Sequence, residues 1–250
     1  MTEPVTLTVT DGVGHIQLNR PDAANTVNMP LATGVRQAVA DVAADDAVRA
    51  VLLSGAGARF STGGDIGSFT DAGDPQTYLH DLAVEAGLAV AALEDLDKPV
   101  VVAVHGAVAG GGLGFMLGGD LVVAQEGTKF VFAYPAIGLT PDCGVSYLLP
   151  RAVGQQRALA FALSGRPWSS EEALAHGLVG EVVPDALARA SEAARALADG
   201  AAGAFGDARR LLRSSWSRAR ADMAADEATT LSTHGAGEEA QELFARFLKH

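Results

Sequence analysis

Apolar and polar positions alternate through "VTLTVTDGVGHIQLN", which predicts two strands, Val5 to Thr10 and Gly14 to Leu18, around a glycine turn. From Pro30 to Ala43 the period changes. Leu31, Val35, Val39 and Val42 recur at helical spacing, and residues 76–96 continue in the same way. "VRAVLLSGAG" is a short continuous apolar run ending in glycines, as expected of a buried strand. "ARFSTGGDIGSF" reads as a loop of small residues. "KPVVVAVHGAVAGGGLGFMLGGD" predicts strand, glycine-rich loop and helix, and "LVVAQ" and "KFVFA" predict two further strands. Beyond Pro150 the pattern is helical. Apolar stripes run through Leu211, Leu212 and Trp216, and again through Leu243, Phe244, Phe247 and Leu248. Strands mixed with helices, then helices alone, predict an α/β core over residues 1–190 and a helical region over 191–250, whose apolar stripes must be covered by the core or by another subunit.

Composition narrows the class of function. With 250 residues, 48% hydrophobic and 19% charged, the chain can build a large globular core. A net charge of -12 opposes binding to nucleic acid or an anionic membrane through bulk charge, but leaves room for an anionic ligand held locally. Cys143 is the single cysteine, so no internal disulfide forms. The first residues lack the basic and apolar segments of a signal peptide, and no apolar run is long enough to span a bilayer, so a cytoplasmic location is expected. No Cys/His cluster has metal-ligand spacing, so no metal site is expected.

Nucleotide motifs fail at the glycine-rich segment. Gly112 and Gly114 are followed by Leu117 where the dinucleotide fingerprint needs a third glycine, and no lysine completes a phosphate loop. What remains is general: Gly110, Gly111 and Gly112 ahead of an apolar helix place bare N–H groups where an oxyanion could sit, or else form a tight turn. Gly63 and Gly64 permit close approach of a ligand to the backbone, and Asp65 beside them suits a ligand contact or, more simply, a turn or helix cap.

Together "IQLNRPDAANTVN", "RFSTGGDI", "KPVVVAVHGAVAGGGLGF" and "LSGRPWSSEEALAHGLVGEVVP" resemble, in order, segments of the crotonase (enoyl-CoA hydratase/isomerase) superfamily. The resemblance implies a spiral of ββα units with a C-terminal helical trimerisation region. It implies an acyl-CoA substrate, no separate cofactor, and a homotrimer or hexamer. By motif, Gly64 and Gly111 would supply the N–H groups of an oxyanion hole. Thr62, Gly63, Asp65, Ile66, Ala24 and Gly110 would lie along the coenzyme A and thioester. Tyr134, Phe132, Phe69 and Tyr147 either wall an acyl pocket or pack in the core. Where members often carry a lysine near the coenzyme A phosphates, this chain has Asp22.

Two departures direct attention to one acid. Hydratases of the family carry two glutamates that hold and activate water, and the matching positions here are Gly114 and Ala136. Addition of water needs a base and a proton donor beside that water. Isomerases need only one carboxylate, and several resemble this chain in placing it in a "GLTPDCG" context; the trailing "LLPR" is also similar to ring-opening isomerases. Asp142 is therefore the expected acid–base group, with apolar neighbours that would favour a raised pKa. Alternatively it caps a short helix starting near Cys143, and the two roles are compatible. His105 is expected to make a structural hydrogen bond, Cys143 to be a small buried side chain, and Asp120 and Glu126 to be structural or solvated. His80 is a weaker candidate for the substrate pocket.

Overall fold

The computed structural model describes residues 3–248. The chain opens with β1 (Val5–Thr10) and β2 (Val13–Leu18), joined by Asp11 and Gly12 at positive φ as an antiparallel hairpin. Next come α1 (Met29–Ala44), capped by the Asn28 side chain on Leu31 N–H, β3 (Ala50–Gly55), the short α2 (Ile66–Thr70) and α3 (Pro75–Asp95). Then follow β4 (Val100–Val104), β5 (Ala107–Ala109), α4 (Gly111–Leu117), β6 (Leu121–Gln125) and β7 (Lys129–Val131). The remainder is α5 (Val145–Val153), α6 (Gln155–Ser164), α7 (Ser170–Ala175), β8 (Glu181–Val183) and α8 (Ala186–Asp199), then α9 (Ala202–Ser214), α10 (Arg220–Ala236) and α11 (Glu238–Phe247).

Six strands form one sheet in the order β1-β2-β3-β4-β6-β8, parallel from β2 onward. Beside it stands a second, smaller stack. Val27 bridges Gly64, Ser61 bridges Val108, and β5 pairs with β7, all parallel. Each main-sheet strand from β2 to β6 thus feeds one short extended segment of the smaller stack before the chain turns into helix. This is the expected spiral of ββα units. The short segments carry the two glycine loops, so the spiral itself brings residues near 64 and 111 together.

Both faces of the main sheet are covered. Val35, Val39 and Val42 of α1, together with Leu82, Ala86, Val90 and Leu93 of α3, pack on one side with Ile16, Leu53 and Val102. Ala186, Ala190, Ala194 and Ala198 of α8 line the other side against Leu52, Val101 and Val123. Alanines four apart form a smooth stripe that lets α8 lie close to the strands. The expected division at 190/191 falls inside α8, and the expected ranges also take in residues 1, 2, 249 and 250, which lie outside the described residues.

Three local expectations are corrected. The stretch beyond Pro150 is not helical throughout: β8 adds to the sheet beside β6, and three residues are too short for a two-residue period to show. The short helix expected near Cys143 is α5, which starts at Val145 and runs through Pro150. "KFVFA" leaves the ladder at Val131, and Tyr134–Ile137 turn into a 3-10 helix where Pro135 has no N–H for pairing. The loop 59–69 contains α2. Asp120 is structural as expected: it accepts from Val100 N–H and pairs with Arg209 at 2.6 Å and Arg213 at 2.9 Å, tying α9 to the core. The helices beyond leave Leu212, Trp216, Leu231, Phe244, Phe247 and Leu248 exposed.

Candidate active site

The Gly63–Gly64 loop is held at both ends by Val27. Val27 N–H donates to Gly63 O at 2.7 Å, and Asp65 N–H donates to Val27 O at 2.9 Å. This register turns the Gly64 N–H to the other side, where it meets no acceptor among the described residues. Gly63 has φ +89°, and a methyl group on it would lie 3.0 Å from Ala109 O and 3.2 Å from Gly110 Cα. Glycine is required here by the close approach of the two loops. Gly110, also at positive φ, donates to Val131 O, and Gly111 opens α4 with its N–H unpaired. Two free backbone donors therefore belong to residues lining one cavity of about 180 Å³.

Asp142 enters that cavity from a tight turn. Val145 N–H donates to Asp142 O at 2.9 Å, and the two residues between them, Cys143 (φ +50°) and Gly144 (φ +71°), are both left-handed, as in a type I′ turn. The carboxylate does not cap α5. The cap position is Gly144, with no side-chain acceptor, so the capping alternative is corrected. Instead Asp142 Oδ1 accepts from the Tyr134 hydroxyl at 2.8 Å. A methyl group on Gly111 would come within 3.9 Å of the same Oδ1, which places the carboxylate beside the unpaired N–H of α4.

Gly114 is in contact with this turn. A methyl group there would lie 2.3 Å from Cys143 O and 2.6 Å from Cys143 Cβ. Room for a side chain at position 114 is thus filled by the turn that carries Asp142. Ala136, the other position where hydratases carry a glutamate, lines the cavity from the 3-10 helix.

Thr62, Gly63, Gly64, Ile66, Gly110, Gly111, Tyr134 and Asp142 all line the cavity, as does Phe69. Asp65 and Ala24 do not. Asp65 caps α2 and pairs with Arg20 at 2.8 Å; burial raises its carboxyl pKa, but the Arg20 and Ser68 hydrogen bonds outweigh this and hold it below the usual value. Ala24 lies behind the loop, its carbonyl accepting from Thr62 N–H at 3.2 Å. Tyr147 does not wall the cavity. It points from α5 into an open groove, under the Arg151 guanidinium at 3.3 Å. Phe132 packs behind Tyr134 rather than in the cavity. His80 is exposed beside Asp81, and α3 lines the cavity with Leu79 and Leu82 instead. His105 lies 2.8 Å from Gly57 O, a structural contact as expected. Cys143 is buried, and burial followed by the Asp142 charge pushes its thiol pKa up, which opposes a nucleophilic thiolate. Sequence reasoning missed Arg20, Leu79, Leu82 and the Gly114–Cys143 contact. The first three carry no local signature, and the last joins positions far apart in the chain.

Among the described residues no helix is long and apolar enough to cross a membrane, and no three His, Cys, Asp or Glu side chains are grouped to hold a metal. Among the described residues Asp142 is the only carboxylate that lines the cavity, beside two unpaired backbone donors. Such an arrangement can stabilise an enolate and move a proton at the neighbouring carbon.

This geometry agrees with what the chain is similar to. The family profile described as Enoyl-CoA hydratase/isomerase matches residues 8–250, and the chain belongs to that family, the crotonase superfamily. It is 38% identical over 189 residues to the 1,2-epoxyphenylacetyl-CoA isomerase of Escherichia coli, covering 74% of this chain and 71% of the relative. To the trans-2-decenoyl-[acyl-carrier-protein] isomerase of Streptococcus mutans it is 36% identical, covering 70% and 67%. A crystal structure described as an enoyl-CoA hydratase/isomerase from Mycobacterium abscessus superposes with a TM-score of 0.94 at 35% identity, covering 98% and 96% of the two chains. Hydratase and dehalogenase names occur among relatives of comparable identity. The class is thus an enzyme of the crotonase superfamily, whose relatives here are named for thioesters of coenzyme A and of acyl-carrier protein.

Proposed function

We propose that this enzyme is an acyl-CoA isomerase that moves a double bond from C3–C4 to C2–C3 of an enoyl thioester. The observation that carries the reading is the single acid. Asp142 alone supplies a carboxylate to the cavity, and the turn that presents it fills the space at Gly114 where a hydratase would hold its glutamate.

In the proposed reaction the thioester oxygen lies between the N–H groups of Gly64 and Gly111. Asp142 takes a proton from C2, and the electron pair delocalises through the dienolate onto the thioester oxygen. The same carboxyl then returns the proton at C4, the thioester carbonyl re-forms, and the double bond rests at C2–C3. Each donor in such a hole contributes about 3 kcal/mol to lowering the barrier. Proton transfer calls for no cofactor, coenzyme A being part of the substrate. Thr62, Gly63, Ile66 and Gly110 would flank the thioester and its pantetheine arm, while Phe69, Leu79 and Leu82 would contact the acyl group. A ring-opening isomerisation of an aromatic-derived thioester uses the same proton chemistry. The name of the E. coli relative supports it as a variant of this reading. The exposed apolar side chains of α9 to α11 support association with further copies of the chain, as a homotrimer or hexamer.

The second reading, an enoyl-CoA hydratase with water activated by Asp142 alone, is favoured only by the hydratase names among relatives. Incubation of the protein with 3-hexenoyl-CoA and, separately, 2-hexenoyl-CoA distinguishes the two. Conversion of the first to the second at unchanged mass supports the isomerase. A product heavier by one water from the 2-enoyl thioester overturns it.

A further inference from the structure

We infer that Tyr134 is a positioning residue that ties down one oxygen of Asp142, so that the other, Oδ2, alone carries the proton along one face of the substrate. The inference rests on the reading of Asp142 as the acid–base group.

Four observations support it. The Tyr134 hydroxyl donates to Oδ1 at 2.8 Å, and the only other side-chain donor beside the carboxyl among the described residues is the weak, buried thiol of Cys143. The phenol acts only as a donor: burial first, then the Asp142 charge, pushes its pKa far above the ordinary value, so it stays protonated. The ring cannot swing away easily. It stands edge-on to Phe132 at 5.3 Å, Phe132 stands against Phe161 at 6.2 Å, and Phe161 stacks on Trp168 at 4.2 Å, a row of rings anchored in the core. Finally, the Asp142 backbone is held by the turn to Val145. Rotation of the carboxyl would break the bond to Tyr134, which is charge-assisted and stronger than a neutral one.

The balance of the step then names its atoms. The C2–H bond breaks and Oδ2–H forms, with the electron pair passing into the dienolate. Oδ2–H then breaks and C4–H forms as the carbonyl returns. With Oδ1 held, one oxygen must reach both carbons, so the transfer is suprafacial and the proton is returned before it exchanges with water. The titratable groups that line the cavity around Asp142 are Tyr134 and Cys143, and nothing charged besides Asp142 itself faces it there.

The test uses Tyr134→Phe in the full chain with 3-hexenoyl-CoA deuterated at C2. The expected result is a kcat lower by about 10- to 100-fold, the worth of a hydrogen bond to a charged group, with KM little changed. Deuterium delivered to C4 falls, because a freed carboxyl turns and exchanges. Replacement of the tyrosines by 3-fluorotyrosine, a near-isosteric and stronger donor, keeps kcat and deuterium delivery at the wild-type level or above; a fall in both would overturn the inference even if Tyr134→Phe fails to fold. If Asp142→Asn retains turnover, the acid–base reading fails and this inference falls with it. If Asp142→Asn is inactive but Tyr134→Phe leaves kcat and deuterium delivery unchanged, the acid–base reading stands and Tyr134 is only a cavity wall.

Discussion

Gly114→Ala probes the link between the missing glutamate and the acid that replaces it. The added methyl would sit 2.3 Å from Cys143 O and 2.6 Å from Cys143 Cβ. Carbon atoms pack at about 3.5–4.0 Å, so the turn must recede by about 1 Å. Cys143 is buried at 3% exposure and already at positive φ, so it has little room to yield. Overpacking of this kind costs about 1–3 kcal/mol. Alanine in place of glycine within α4 returns up to about 1 kcal/mol of helix propensity. The net loss of stability is therefore about 0–3 kcal/mol. Activity suffers more, because Asp142 shares the displaced backbone and a misplacement of about 1 Å costs on the order of 100-fold. Urea unfolding and kcat/KM on 3-hexenoyl-CoA, measured side by side, check this. Gly87→Ala, in mid-α3 with nothing within 4 Å of its added methyl, is the control and should gain about 0.5–1 kcal/mol without loss of turnover. Wild-type turnover in Gly114→Ala would refute the claim that the turn positions the acid.

Three further outcomes are expected. Asp120→Ala removes the carboxylate facing Arg209, whose side chain is 4% exposed and otherwise bonds only to backbone oxygens of Leu93, Glu94 and Leu96; a loss of about 3–5 kcal/mol in urea unfolding is expected. Burial lowers the pKa of His15 below its ordinary 6.5, so the unfolded chain takes up that proton first and stability falls as pH drops below 6.5 toward the lower folded value; in His15→Gln this part of the pH–stability slope should vanish. Ala136→Glu places one hydratase-like carboxylate on the cavity rim, and mass spectrometry of the 2-enoyl product should still show no added water, because position 114 stays closed.

Much of the fold was legible because its longer elements repeat one period several times. Residues 30–43 and 76–96 were expected as helices, and α1 and α3 differ from them by one residue at each end. β8 and α2 are too short to show a period, and their form is set by neighbours: β6 for the strand, the Asp65 cap for the helix. The glycines of the two cavity loops were legible through their motifs, because close backbone approach admits no side chain. Side-chain direction was not. Tyr147 follows Asp142 by five residues, yet α5 turns it to the opposite side. Asp65 adjoins Gly64 but is drawn away by Arg20. Neither the Tyr134–Asp142 bond nor the Gly114–Cys143 contact could be read from spacing, since both depend on how the 3-10 helix and the turn after it fold back over α4.

The central claim is that one carboxylate performs both proton transfers. Its most direct test is the turnover of 3-hexenoyl-CoA to 2-hexenoyl-CoA by the wild-type enzyme and by Asp142→Asn, an isosteric change that keeps the turn and removes the base. Rapid isomerisation is expected of the first, and of the second a rate lower by at least about 100-fold, the contribution of one acid–base group, with acyl-CoA binding retained. Comparable turnover by both would contradict it.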